Sequence, residues 1–295
     1  MVTLSTAENA LKTLYLGVIS EQLNTNTNPL LNKIAQSTTD ILGRKVSKLA
    51  PFGINGGIGA GDEDGDLPTS AENNYVVFES TLKNLFGTIE LSDKAVLASS
   101  STAGAFVNLL NAEMEGLIRA SSFNFGRMLY GDGTGKLASF TAFNEGSNAF
   151  TCDNIKHLME GMVIDFYEVA GDVTTKVTAY SGARITAIDR ANAMVAINKA
   201  VTANDFDFAD KQYFVTIQNS FNKEITGLDA IFGTQNLYGV ARASNAWMNP
   251  LKTSVQEGET FGDVKIQSVI DKLSEYYDSE VDFLVGSAGV KRAYQ

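Results

Sequence analysis

The stretch that most constrains how this chain can fold runs from Phe78 to Lys136. It joins a strand-like segment, FESTLKNLFGTIELSDKAV, to a long run of helical periodicity that stops abruptly at GDGTGK. In the helical run Phe106, Leu109, Leu110, Met114, Leu117, Ile118, Ser121, Phe125, Met128 and Leu129 recur at three- and four-residue spacing, which lays them along one stripe. Asn108, Asn111, Glu115, Arg119, Ser122, Asn124 and Arg127 fall on the other face. Ser101 or Thr102 is placed to cap the start, and Gly131 to supply the left-handed residue that ends the helix. About 27 residues at 1.5 Å each make a rod of about 40 Å, longer than the usual globular helix. No spacing in the stretch assembles a catalytic centre, so it reads as a rigid architectural unit of a protein built to assemble.

Composition narrows the remaining classes by exclusion. With 295 residues and 44% hydrophobic side chains the chain can bury a sizeable core, in one large or two smaller domains. No run approaches the 18 or so apolar residues of a membrane-spanning helix, and MVTLSTAENALK lacks the basic start and apolar centre of a secretory signal. Cys152 is the single cysteine, which excludes an internal disulfide framework and any zinc site built on several thiolates. The 23 basic and 34 acidic side chains leave a formal charge of -11, which opposes wide-surface binding of nucleic acid by phosphate neutralisation. Gly43-Arg44-Lys45 and Lys291-Arg292 are too short to form a basic face.

Four regions follow along the chain. Ser5 and Glu8 stand in capping-box spacing ahead of Leu11, Leu14, Tyr15, Val18 and Ile19, an amphipathic helix ending near residue 23. NTNTNP at Asn24–Pro29 breaks it, and Leu30 to Ile41 resumes weakly, so residues 1–41 read as an N-terminal arm that needs a surface to lie on, a neighbouring subunit being one. Residues 46–77 form a glycine-rich excursion with four acidic side chains between Asp62 and Asp66, too poor in apolar surface to be a core element and so a projecting loop or hairpin.

From about Phe150 the period changes. Val163–Val169, Thr174–Tyr180, Arg184–Asp189, Met194–Ile197 and Tyr213–Ile217 read as five short strands of an antiparallel barrel or sandwich inserted in a larger domain. Between Glu224 and Gln295, Val264, Ile266, Val269, Ile270, Leu273 and Tyr276 make a helical stripe, Val281–Val285 reads as a buried strand, and Ser287 opens a further helix. The chain stops inside that helix, leaving an α+β domain to be closed by further chain or by a neighbouring segment.

Four features of the sequence bear on chemistry. Asp62, Asp64 and Asp66 match the first three ligand positions of a helix–loop–helix calcium site, but Leu67 stands where that loop needs glycine and Asn73 where it needs glutamate. GDGTGK resembles a phosphate loop, yet Tyr130 occupies the place of the first glycine, Leu137 that of the Ser or Thr, and a helix rather than a strand precedes it. His157, the single histidine, has no triad partner at fixed spacing. Carboxylates are too numerous for one pair to be singled out. No catalytic, cofactor-binding or metal-ligating residue is assigned, no cofactor is called for, and the chain is expected not to be an enzyme.

The order of the pieces carries a resemblance. An N-terminal arm, a glycine-rich extended loop, FESTLKNLFGTIELSDKAV, a long helix ending in LYGDGTGK, and later NKEITGLDAIF with LYGVARASNAW resemble the major capsid protein of tailed bacteriophages, with its Hong Kong 97-like fold. Gly131 to Gly135, Glu224 to Leu228, Gly239, Arg242 and Trp247 are the most specific positions. The resemblance implies an α+β capsid fold: residues 1–41 the N-terminal arm, 42–77 the extension loop, 78–149 the peripheral domain with its spine helix at 102–130, 150–217 an inserted β-barrel-like domain, and 218–295 the axial domain. Members usually continue past the helix that starts here near Ser287, adding axial and peripheral strands. It implies a structural subunit that assembles with itself into hexamers and pentamers in an icosahedral shell around double-stranded DNA, the virion capsid assembled in the host bacterial cytoplasm. Scaffolding, portal and decoration proteins are its further expected partners, packaged DNA touches the inner face weakly, and no membrane is involved; no lysine and asparagine pair for an intersubunit cross-link is singled out. Two alternatives remain: an encapsulin-type nanocompartment shell, against which the inserted β domain argues, and an unrelated β-rich binding protein or a hydrolase with a diffuse site.

Overall fold

The computed structural model of the protein describes residues 29–35, 37, 41–90, 103–144, 148–202, 205–277 and 279–295. The helix expected from Ser5 to Ile19, and the end of the strand segment at 91–96, lie outside the described residues. Among the described residues the chain is mixed α+β, with two antiparallel sheets and five α-helices. The elements are α1 Pro29–Lys33, β1 Ile41–Leu42, β2 Lys45–Phe52, β3 Asn74–Thr81, α2 Ala103–Met128, β4 Lys136–Asn144 and β5 Ala149–Cys152. They continue with β6 Val163–Ala170, β7 Val173–Lys176, β8 Ala183–Asp189, β9 Met194–Ile197, β10 Gln212–Ile217, α3 Leu228–Phe232, α4 Asp263–Tyr277 and α5 Ala288–Tyr294.

The glycine-rich excursion is a hairpin. β2 and β3 pair from Lys45 opposite Thr81 to Phe52 opposite Asn74, and β1 adds to the free edge of β2. A limit at Val77 and Phe78 between loop and body therefore falls inside β3. The long strand expected from Phe78 to Val96 is corrected: β3 ends at Thr81, and 82–90 joins no ladder. The reason is register. Lys45 is the last residue of β2 that can oppose β3, because Gly43, at φ +64°, turns the chain back into β1.

All five expected strand runs appear in the second sheet, with one change and two additions. Thr174–Tyr180 divides into β7 and a 3₁₀ turn at Thr178–Tyr180, and β4 and β5 join ahead of them, so the sheet begins before residue 150. The ladder runs β10–β4–β5–β9–β8–β6 and returns to β10, which pairs with β4 on one edge and β6 on the other. These six strands close into an antiparallel barrel, which removes the free edges an open sheet would expose, while β7 pairs with the far end of β6. Phe140, Phe150, Phe166, Tyr180, Phe206 and Tyr213 fill the interior in ring contacts such as 4.7 Å between Phe140 and Phe150 and 5.2 Å between Phe150 and Phe166. Each fully buried phenylalanine contributes about 2 kcal/mol through removal from water. The barrel is thus a packed core rather than a ligand cup.

Outside the barrel, α2 spans 26 residues. Its stripe deepens along the helix, half-buried at Met114, Leu117, Ile118 and Phe125 and buried at Met128 and Leu129. A small second core forms at that deep end, where Leu30 and Leu31 of α1 meet Leu129, with Phe125, Ile225, Leu228 and Phe283 around them. Part of the arm therefore lies on its own chain. Toward the C-terminus α4 turns Ile266, Val269, Ile270 and Leu273 partly inward, while Val264 and Tyr276 stand 80% and 70% exposed. The buried strand expected at Val281–Val285 is also corrected. Among the described residues the segment has no ladder partner, and Leu284 and Val285 are exposed; an apolar run without a neighbouring strand cannot satisfy its backbone as sheet. Ser287 does open a helix, its hydroxyl accepting from the Val290 amide at 3.3 Å.

Candidate assembly interface

The residues considered for chemistry are kept apart. Asp62, Asp64 and Asp66 lie exposed in a turn closed by Gly65 N–H to the Asp62 carbonyl at 3.0 Å, and among the described residues no group of three or more His, Cys, Asp or Glu is placed to hold a metal ion. In GDGTGK the Asp132 carboxylate accepts from the Thr134 amide at 2.8 Å and its hydroxyl at 2.6 Å, and Lys136 Nζ sits 5.7 Å over the Phe214 ring. Aspartate and lysine are both engaged in shaping the turn. Burial, and then the nearby Arg127 and Lys156, push the half-buried His157 imidazole below its ordinary value, and no side chain hydrogen-bonds it among the described residues. Burial and the neighbouring Asp153 push the Cys152 thiol up to about 12, so it stays a protonated core side chain rather than a nucleophile.

What GDGTGK does is join three elements. The helix does not end on a left-handed Gly131, as the sequence suggested. Its last turn tightens, with the Tyr130 and Gly131 amides reaching the carbonyls of Arg127 and Met128 at 3.0 and 3.2 Å. The carbonyls of Leu129 and Tyr130 then accept from the amides of Leu228 and Asp229 at 2.9 and 3.3 Å. That approach requires a glycine: a Cβ on Gly227 would lie 2.4 Å from the Met128 carbonyl oxygen and 2.5 Å from that of Leu129. The left-handed positions are Gly133 and Gly135, at φ +90° and +80°, and a Cβ on Gly135 would meet the Ser220 carbonyl at 2.9 Å.

Arg127, placed by its spacing on the outer face of α2, is instead 8% exposed and holds Glu224 with both terminal nitrogens. At the return Arg242, 3% exposed, donates to the Ala230 carbonyl at 3.1 Å and to that of Gly233, closing the loop after α3. A third anchor, inside the barrel wall, is Asp165. Fully buried, it accepts from Lys176 Nζ at 2.7 Å, the Asn219 amide at 2.7 Å, and the Ser181 hydroxyl and Gly182 amide at 2.9 Å each. Burial alone would raise its carboxyl, but these bonds together hold it below the usual aspartate value.

The body so braced presents an apolar surface that nothing in the described chain covers. The inner face of the hairpin is anchored: Phe52 stacks on Trp247 at 4.9 Å, Phe78 meets Tyr238 and Trp247 edge-on, and the Glu79 amide donates to the Tyr238 carbonyl at 2.8 Å. The outer face carries the cross-strand pairs Leu49 with Val77 and Pro51 with Tyr75, all exposed. Beyond them Ile54, Ile58 and Leu67 are 86%, 89% and 91% exposed. A second apolar zone surrounds a shallow hollow of about 220 Å³ between α4 and Val281–Leu284. Exposed apolar side chains gathered on one face are a common feature of interaction sites. No described helix is long and apolar enough to cross a membrane.

No protein-family model, curated protein or solved structure matches the chain. The functional features that escaped sequence reading are the Arg127–Glu224 pair and the Gly227 cap. Their one sequence signal is the motif NKEITGL itself, whose charged Glu224 precedes an apolar run and whose glycine opens α3.

Proposed function

We propose that this chain is a structural subunit of an icosahedral shell, a major capsid protein of the Hong Kong 97-like type, building hexamers and pentamers around double-stranded DNA and carrying no enzymatic site. The observation that carries the reading is the exposed hairpin, apolar on its outer face from Leu49 to Tyr75, rooted through Phe52 and Trp247 in a body braced by the end of α2. A lone monomer gains nothing from holding such surface in water, whereas a lattice buries it at every contact and multiplies modest affinities. The closed barrel supports the same reading, because a packed aromatic core within a ring of strands is a rigid block and leaves no room for a substrate. The proposed setting is the virion capsid, assembled in the cytoplasm of a bacterial host, with scaffolding, portal and decoration proteins as partners and packaged DNA in weak contact with the inner face, in keeping with the chain's formal charge of -11.

Electron microscopy and sedimentation of the purified protein test this. Icosahedral shells or ring-shaped capsomers are expected. Shells carrying protein cargo would move the reading to a nanocompartment, and a monomer persisting at high concentration would overturn it.

A further inference from the structure

The hairpin carries the chain's one Asn-Gly pair, Asn55–Gly56, followed by a second glycine at Gly57. Asn55 and Gly56 are exposed and lie beyond the last ladder pair, Phe52 with Asn74. The Asn55 side chain is held in place. Its Oδ1 accepts from the Gly57 amide at 2.9 Å, a turn in which a short polar side chain bonds its own backbone two residues on. The opposite limb closes on that turn, for a Cβ on Gly57 would lie 3.1 Å from Asn55 Oδ1 and 3.2 Å from the Ala71 amide nitrogen. Among the described residues the Gly56 amide, between the two, makes no hydrogen bond.

The bond from Gly57 folds the Asn55 carboxamide forward over the intervening peptide, which turns Asn55 Cγ toward the Gly56 nitrogen. It also aims an N–H at Oδ1, the atom on which negative charge grows when that nitrogen attacks. Glycine adds no side chain to obstruct the approach. Two comparable places in the chain lack this arrangement. At Asn219–Ser220 the following amide is taken by the Ile217 carbonyl at 3.0 Å, and Asn219 is held by Asp165 at 2.7 Å and Lys176 at 3.3 Å. At Asp64–Gly65 the glycine amide donates to the Asp62 carbonyl at 3.0 Å.

We propose that Asn55–Gly56 is a self-modifying site, at which the chain converts its own asparagine to aspartate and isoaspartate through a cyclic imide. Hydroxide or water takes the Gly56 N–H proton, and the nitrogen forms a bond to Asn55 Cγ. The Cγ–Nδ2 bond breaks, and Nδ2 leaves as ammonia with a proton drawn from water. Water then adds to one of the two ring carbonyls and opens the ring. Opening at Cγ leaves aspartate; opening at the main-chain carbonyl leaves isoaspartate, with the backbone routed through the side chain and one methylene longer. No group is oxidised or reduced. Either product adds one negative charge to the formal -11 and sets it beside Ile54, which is 86% exposed. The site needs only the fold of the hairpin and is independent of the shell reading.

Peptide mapping by mass spectrometry tests it on the full chain, held at about pH 8, where hydroxide-driven proton removal is favoured, and sampled over days. Enzymatic methylation of isoaspartate counts that product separately. The folded protein is expected to convert Asn55 about fivefold faster than the same chain unfolded in guanidinium chloride, the effect of one hydrogen bond that holds the reacting geometry. Asn219 is expected to stay intact until the chain unfolds. Gly56→Ala, whose added methyl meets only the Ala71 side chain at 3.6 Å, is expected to slow conversion severalfold, and Asn55→Gln to abolish it. Circular dichroism checks that both variants are folded. Conversion of Asn55 no faster in the folded protein than in the unfolded one, or at the wild-type rate in Gly56→Ala, would overturn the proposal and leave the capsid reading standing.

Discussion

Arg127 and Glu224 meet across 97 positions of sequence as a two-pronged buried pair, Nη1 to Oε2 at 2.9 Å and Nη2 to Oε1 at 2.5 Å, with side chains 6% and 3% exposed. The pair locks the end of the long helix to the strand return after the barrel, at the point where Leu30, Leu31 and Leu129 pack. Charge-assisted two-pronged geometry holds the two elements in direction as well as in distance.

Removing one member leaves a charge without a partner in a dry site. Arg127→Met and Glu224→Gln are each expected to lower the free energy of unfolding by about 3–5 kcal/mol, read from urea denaturation. The double variant Arg127→Met with Glu224→Leu is expected to recover most of that loss, because no charge then remains buried. A double variant as unstable as the singles would refute the account.

Two glycines should respond in opposite directions to the same substitution. Gly227→Ala forces a methyl against three backbone carbonyls and is expected to cost about 2–4 kcal/mol. Gly116 lies inside α2 with open space around it, so Gly116→Ala is expected to stabilise by about 0.5–1 kcal/mol. Thermal unfolding of the two variants beside the wild type decides the matter.

Asp165 links stability to acid pH. Its folded-state value lies below the unfolded one, so its contribution is complete above about pH 4 and is lost as pH falls through the lowered folded value. Asp165→Asn puts an amide where Lys176 and two backbone amides require a carboxylate. It is expected to cost about 2–4 kcal/mol at neutral pH and to flatten the acid limb of the stability curve. An acid limb of unchanged slope would show that another group controls it.

Trp247, the one tryptophan of the chain, reports on the root of the hairpin. Phe52→Ala removes the ring stacked on it at 4.9 Å and is expected to shift its emission to the red while costing about 1 kcal/mol. Leu49→Ala, on the outer face of the hairpin, should leave the monomer's emission unchanged. An equal red shift in both would mean that the hairpin is not anchored through this stack.

Periodicity within one segment was enough to locate α2 within a residue or two, the 264–276 stripe, and every strand run between Val163 and Ile217, because each depends on side chains that are neighbours along the chain. β4 was legible in KLASFTAF and was overshadowed by the glycine-rich turn ahead of it. What local pattern could not reach were relationships between distant segments. Arg127 has a polar spacing and a buried fate because β10, paired with β4, brings Glu224 back beside the end of α2. The helix ends at Met128 because Leu228 and Asp229 cap its carbonyls, with no need for Gly131 to turn left-handed. Val281–Val285 has the composition of a strand, but strand formation needs a partner ladder, and none stands beside it among the described residues. Helical stripes, strand runs and the acidic, glycine-rich make-up of the hairpin were thus set by the order of residues alone. Closure of the barrel, burial of the ion pair and the anchoring of the hairpin on Trp247 were decided only when segments far apart in sequence came into contact, since hydrogen bonds, desolvation and ring packing act through space.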